Sequence, residues 1–245
     1  MSITSPVRRV ERVRHELVRR DVQVARVETI SPRFLAVTFS GATLDGFTSL
    51  SFDDHLKFMF EGPSGEVHRR DYTPRHFDAA QRELTIEFAL HAGGLASDWA
   101  RQAQPGMPAT IGGPRGSMII PTDFDWHLLV GDATALPAIH RRLEELSPGA
   151  RVQVIAHAPT PEDQRVMATR ADAQVRWVPS ADDLVSAVRE LDLPAGEGFV
   201  WCAGEAAVMA RMRDVLATDK GHPREAMRVA AYWKVGAEGH HENLE

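Results

Sequence analysis

Seven consecutive residues, Arg69-Arg70-Asp71-Tyr72-Thr73-Pro74-Arg75, gather arginines, a phenol ring, a hydroxyl and a proline between stretches that read as strands. A planar guanidinium can hold phosphate oxygens through two parallel hydrogen bonds, and a phenol can cover an aromatic ligand. In an extended segment alternate residues share a face, which predicts Arg70, Tyr72 and Pro74 on one side and Asp71, Thr73 and Arg75 on the other. The backbone and hydroxyl of Thr73 would then reach the edge of a flat heterocycle. A solvated strand can carry the same Arg-x-Tyr-Thr pattern with no ligand at all.

A second candidate is His91-Ala92-Gly93-Gly94-Leu95-Ala96-Ser97, where a glycine pair opens a predicted helix to about Gln102. Free backbone N–H groups and the helix dipole favour an anion at such a point, and Ser97 can add a hydroxyl. An ordinary helix start is the plain alternative, but Arg70 and the 93–97 turn together would make a pyrophosphate cradle. Two further turns, Gly131-Asp132-Ala133-Thr134 and Ala203-Gly204-Glu205, end apolar strands. No Gly-x-Gly-x-x-Gly fingerprint is present. His55 lies beside Asp53 and Asp54, but adjacent positions on a strand point to opposite faces, so no metal site is expected. His240 and His241 belong to a tail expected to be disordered. Cys202 sits in an apolar strand as a small hydrophobe.

The elements that must position these residues differ between the two halves. Residues 7–18 place Val10, Val13 and Leu17 at helical spacing and predict a short amphipathic helix. From about Leu17 the pattern is β-like, with two consecutive strands to Ser40 broken at Ser31-Pro32, then strands over 55–61, 67–74 and 82–90. Short strands at this spacing suggest a small antiparallel barrel or sandwich. After a strand ending near Gly112-Gly113-Pro114-Arg115-Gly116-Ser117, a Gly/Pro-rich connection runs to about Asp125. That marks a boundary between domains over 1–123 and 124–245. The second half alternates strands at 126–132, 152–158, 175–179, 198–204 and 227–234 with helices at 138–146, 181–191 and 205–216. Alternation predicts a parallel sheet with helices on both faces, and ligands beyond the carboxyl ends of its strands.

Composition narrows the function class. The 245 residues suffice for two domains with ample cores. No apolar run is long enough for a membrane span and no signal core opens the chain, so the expected compartment is the cytoplasm. One cysteine excludes an internal disulfide and any cysteine-based cluster, so redox chemistry would need a bound cofactor. A formal net charge of -6 argues against general nucleic-acid binding, although Arg8, Arg9, Arg12, Arg14, Arg19 and Arg20 make the N-terminus locally basic. That run reads as a solvated face. No long apolar seam calls for an oligomer, so a monomer is expected.

In order and spacing, DDHLKF (53–58), RDYTPR (70–75), GLASDWA (94–100), GGPRGS (112–117), GDATALPAI (131–139), WCAGE (201–205) and YWKVG (232–236) resemble the siderophore-interacting protein family. This is a group of flavin-dependent ferric-siderophore reductases within the ferredoxin-NADP reductase superfamily. The resemblance covers residues 17–236. It implies an antiparallel FAD-binding β-barrel followed by a parallel-sheet α/β domain for NADPH or NADH. It implies that Arg70, Tyr72 and Thr73 hold FAD, and that Gly94, Leu95, Ala96 and Ser97 form the pyrophosphate turn with His91 and Gly93. Leu95 replaces the proline usual in the family. Gly131, Asp132, Thr134 and Ala135 would bind the nicotinamide nucleotide, with Ala133 where the family usually has a glutamate. Ala203, Gly204 and Glu205 would face the nicotinamide side.

The implied activity is NAD(P)H-driven reduction of a ferric siderophore with release of ferrous iron, and no side chain need act as nucleophile or general acid. An anionic chelate needs a local cationic patch on an acidic protein. Lys57 and Lys234, two of three lysines, are candidates with Arg115; Arg75, counted with the cofactor residues, could join them. Trp233 and Tyr232 can pack near the flavin or fill the sheet edge. Arg165 and Arg170 are candidates for reading a 2′-phosphate. Two other readings stay open: a general flavin reductase with another acceptor, and a flavin-carrying protein that binds iron chelates without turnover.

Overall fold

The computed structural model describes residues 9–62, 64–237 and 242–244. Its first half contains β1 (Glu11–Arg14), β2 (Arg19–Ser31), β3 (Phe34–Ser40), β4 (Leu56–Glu61), β5 (Val67–Tyr72), β6 (His76–Asp78) and β7 (Glu83–Ala89). Helix α1 (Leu95–Gln102), β8 (Pro108–Gly112) and β9 (Gly116–Ile119) complete it. Seven strands form one antiparallel sheet in the order β5-β4-β8-β2-β3-β7-β6. Phe58 on β4 meets Phe88 on β7 at 5.3 Å between ring centroids, although three strands separate β4 from β7 in that order. The sheet is therefore rolled on itself as a barrel. Its floor is α1, whose Trp99 lies 4.8 Å from the Phe58 ring. Such aromatic contacts are worth about 0.5–1.5 kcal/mol each beyond the area they bury.

The helix expected over 7–18 does not form among the described residues. Glu11–Arg14 is strand β1, paired antiparallel with β9 from Glu11 opposite Ile119 to Arg14 opposite Gly116. Val10 and Val13 fit helical spacing, but the backbone finds its partners in this ribbon instead. Gly116 permits it, since a Cβ there would lie 2.5 Å from the Val13 carbonyl oxygen. The connection expected before Asp125 thus contains a strand. Nor is the basic run merely solvated: Arg9 stacks on Phe124 at 4.3 Å and pairs with Asp123 and, at 2.6 Å, with Glu197. Arg8 lies outside the described residues.

The second sheet begins at β10 (Trp126–Gly131). It continues with α2 (Leu136–Glu145), β11 (Arg151–His157), β12 (Asp172–Val178), α3 (Ala181–Glu190), β13 (Gly198–Glu205), α4 (Ala206–Asp214), β14 (Met227–Trp233) and β15 (Glu242–Asn243). The order is β12-β11-β10-β13-β14-β15. The first five strands are parallel, and β15 returns antiparallel with Asn243 opposite Ala230, so the sheet is mixed rather than purely parallel. Part of the tail expected to be disordered is therefore paired; His240 and His241 lie outside the described residues.

Strands β10 and β13 are buried along nearly their whole length, as unbroken apolar runs at the centre of a two-sided sheet should be. Leu136, Ile139 and Leu143 pack α2 on one face; Leu184, Val185, Met209 and Met212 pack α3 and α4 on the other. Pro137 suits the first turn of α2. The Ser180 side chain accepts from the Asp183 amide at 3.1 Å to cap α3. Phe34 and Phe52 of the first half join the α2-side core, with Phe52 5.4 Å from Trp201, so the two halves share apolar packing.

Candidate functional site

A cavity of about 930 Å³ lies where the two halves meet, at the carboxyl ends of the parallel strands. Arg70, Asp71, Tyr72 and Thr73 line one wall. The expected alternation does not hold: Arg70, Asp71 and Tyr72 are all still paired with β4 yet border the same space, and Pro74 does not line it. Tyr72 is wedged between Phe88 at 4.5 Å and Phe58 at 5.8 Å, and burial pushes its phenol pKa up. The ring presents an apolar, neutral face.

Next to it, Gly93, Gly94, Leu95 and Ala96 also line the cavity. Gly93 adopts φ +72, a conformation that favours glycine, and so turns the chain into α1. The helix begins at Gly94 with no side-chain cap. Its first amides have no intrahelical acceptor, which suits them to phosphate oxygens. His91 borders the cavity with its ring against Gly94: a Cβ there would lie 2.3 Å from Cε1. Ser97 lies beneath rather than in the wall. Its hydroxyl accepts from the His91 amide at 3.2 Å and donates to the Ala89 carbonyl at 3.4 Å, fastening the turn.

On the opposite wall one carboxylate organises three strand ends. Asp132 Oδ1 accepts from the Thr134 amide at 2.9 Å and its hydroxyl at 2.6 Å; Oδ2 accepts from the Glu205 amide at 3.0 Å and Trp233 Nε1 at 2.8 Å. Glu205 caps α4 through the Ala207 and Val208 amides at 2.7 and 3.1 Å. Asp132, Thr134, Glu205, Trp233 and Lys234 all line the cavity. Gly131, Ala135 and Ala203 stand behind them. A Cβ on Gly131 would lie 2.3 Å from Ala135 Cβ and 2.9 Å from the Ala203 carbonyl, so these small residues bring the turn close to β13. At Gly204 a Cβ would come within 2.7 Å of Asp132 Oδ2.

Several sequence candidates lie elsewhere. Arg75 does not line the cavity: its Nε donates to Glu87 at 3.1 Å, and both terminal nitrogens donate to Glu144 at 2.7 Å. Burial opposes the charge, but the Glu144 and Glu87 partners raise its pKa. Lys57 pairs with Asp71 at 2.7 Å, beside the cavity rather than in its lining. Arg115 is exposed in the β8–β9 turn. Arg165 is buried against Glu87 at 2.5 Å and over the Phe34 ring at 5.0 Å, so it is not placed to read a 2′-phosphate. The carbonyl of Arg170 accepts from Gly149, at the opposite end of β11 from the cavity. Both arginines were chosen by position in the chain, which does not reveal which end of a strand a loop covers.

The Asp53-Asp54-His55 cluster separates in space. Asp53 is nearly buried and receives Trp201 Nε1 at 2.9 Å, Arg228 Nε at 3.0 Å and the Tyr232 hydroxyl at 3.3 Å, all from the second half. Asp54 receives Ser117 and Ser49 hydroxyls at 2.7 and 2.8 Å, while His55 lines the cavity. Asp53 is a tie between the two halves that sequence reasoning missed. Its signal was a carboxylate with an arginine partner 175 positions away, which no local pattern exposes. A second depression, about 1150 Å³, lies over Trp99 and Pro108 and shares only Leu95 with the lining of the first cavity. The concentration of chemistry-bearing groups favours the interdomain cavity.

The residues present fit FAD: an apolar phenol face, a guanidinium, an uncapped helix start and a cavity within the usual size of ligand sites. Residues 124–236 match the family described as siderophore-interacting protein, and residues 23–69 and 63–118 match the siderophore-interacting FAD-binding domain. The NADPH-dependent ferric-chelate reductase of Escherichia coli (strain K12) is 36% identical over 91% of this chain and 96% of its own. The ferric vibriobactin reductase ViuB of Vibrio cholerae is 27% identical over 95% of both chains. The crystal structure of a siderophore utilization protein from T. fusca superposes with a TM-score of 0.90 at 32% identity, covering 94% of this chain and 98% of that one. Barrel, parallel-stranded domain and the cavity between them thus carry both halves of one family pattern, and the chain belongs to the siderophore-interacting protein family.

Proposed function

We propose that the protein is an FAD-dependent NAD(P)H:ferric-siderophore reductase, with FAD held by the barrel domain, residues 1–123, and the nucleotide by the α/β domain, residues 124–245. The observation that carries this reading is the single cavity lined by Arg70, Tyr72 and Thr73 on one side and by Asp132, Thr134 and Glu205 on the other. FAD supplies the link between two-electron and one-electron chemistry, since a nicotinamide gives up a hydride and each ferric ion accepts one electron. The balance is one NAD(P)H and two ferric chelates to one NAD(P)⁺, one proton and two ferrous ions, with the chelators released.

The chain's own residues bind and align. Arg70 is assigned to the FAD phosphates with the first amides of α1, Tyr72 to the ring face, and Thr73 to the ring edge. Asp132 holds Thr134, Glu205 and Trp233 in the wall against which the nucleotide lies. Lys234, at the cavity rim, is assigned to attract an anionic chelate, with Lys57 and Arg115 farther out. Among the described residues no helix is long and apolar enough to cross a membrane. A protein that does not bind nucleic acid accords with the -6 charge, and a cytoplasmic monomer is proposed with it. Arg70→Ala tests the placement of the phosphates. The variant is expected to purify with little flavin and to bind added FAD at least about tenfold more weakly, as loss of a charge-assisted pair implies. Full flavin occupancy in that variant would remove Arg70 from the phosphate site.

A further inference from the structure

Helix α2 spans the distance between the two ligand walls. Its first residues, Leu136 and Pro137, border the cavity immediately after the Asp132–Thr134 turn. Its later residues grip the segment that follows Tyr72. Arg141 donates through Nη1 to the Pro74 carbonyl at 2.9 Å and to Ser49 Oγ at 2.8 Å, and through Nη2 to the Ser49 carbonyl at 3.0 Å. Its Nε donates to Glu145 at 2.9 Å. One turn on, Glu144 accepts both terminal nitrogens of Arg75 at 2.7 Å each. Arg75 is in turn fixed to β7 through Glu87.

We propose that Arg141 and Glu144 are positioning residues for hydride delivery: they lock Thr73-Pro74-Arg75 to α2 and so set the separation between the nucleotide site and the flavin site. The inference rests on the functional reading above and assigns it two residues outside the cavity lining. Hydride transfer requires the reacting atoms to lie within contact distance, and a misplacement of about 1 Å can cost about a hundredfold. Single-electron transfer to an iron chelate tolerates several ångströms and involves no alignment of two rings. The clamp is also unlike an ordinary surface ion pair. A guanidinium with four acceptors and a two-point carboxylate pair fix orientation as well as distance.

The two half-reactions separate positioning from mere structure. Arg141→Gln, Arg141→Lys and Glu144→Gln are prepared in the full chain loaded with FAD. Anaerobic stopped-flow follows flavin bleaching at saturating NADPH or NADH. A second run starts from protein reduced with dithionite and follows recovery of the flavin bands on mixing with ferric citrate. The expected result is bleaching slowed about tenfold or more in Arg141→Gln and Glu144→Gln, with recovery within about twofold of wild type. Arg141→Lys, which keeps the charge but reaches fewer acceptors, should fall between. FAD affinity of the apo-proteins, read by fluorescence titration, should not change. Equal slowing of both half-reactions, or weakened FAD affinity in every variant, would make the clamp purely structural and overturn the proposal. Bleaching at the wild-type rate would overturn it as well. If neither nucleotide bleaches the wild-type protein, the reductase reading fails and this inference falls with it, an outcome distinct from the others.

Discussion

Asp132 has four hydrogen bonds to four groups, on its own turn, on β13 and on β14. Its removal leaves two part-buried turn amides and the exposed Trp233 ring N–H without their acceptor and frees the three strand ends from one another. Asp132→Ala is therefore expected to raise the KM for NAD(P)H about tenfold or more while FAD content stays near wild type; an unchanged KM in steady-state assays would contradict the assigned role. The Gly-Asp pair was legible in the sequence because it ends an apolar run. Its partners were not, since Glu205 and Trp233 lie 73 and 101 positions away. Arg75 shows the opposite failure. It sits in the motif that composition singles out, yet its strand has ended and its side chain turns to α2.

At the scale of the element, the close fit between the turn after β10 and strand β13 depends on a residue without a side chain. Gly131→Ala would force a Cβ against Ala135 and the Ala203 carbonyl, and overpacking of this kind costs about 1–3 kcal/mol. The variant should melt earlier and bind nucleotide more weakly, with FAD affinity intact; a wild-type melting temperature would show that the turn can relax. Strands β10 to β14 and helices α1 to α4 were legible because long apolar runs and 3.6-residue spacing each allow one packing. The N-terminal ribbon was not. Val10 and Val13, three positions apart, fit only the helical period, and the partner strand β9, whose pairing overrides it, lies over 100 residues away.

At the scale of the molecule, the two halves meet through charged groups as much as apolar ones, and buried titratable groups tie stability to pH. His127 and His140 have pKa values lowered to about 4, the first by burial and then Arg142, the second by burial and then Arg75. Unfolded histidines take up protons near 6.5, so the unfolded state binds more protons below that value and stability falls as pH falls. The melting temperature should drop between about pH 6.5 and 5, above the ordinary carboxylate range, and His127→Gln should flatten the slope; a flat wild-type profile would contradict the burial of these rings. Glu144, held below the usual carboxylate range by Arg75 although burial opposes it, continues the loss at lower pH. Barrel and parallel-sheet halves were readable from strand spacing alone, whereas the way Glu87, Glu144 and Asp53 stitch them together depends on contacts with no sequence period. The most direct test of the whole account is an anaerobic visible spectrum of the purified protein, before and after NADPH and then after a ferric siderophore with a ferrous-iron trap. Flavin bands that bleach with the nucleotide and return as ferrous iron appears are the expected result. Bleached bands that ignore the chelate would point to another acceptor, and a protein without flavin would contradict the site built on Arg70, Tyr72 and Thr73.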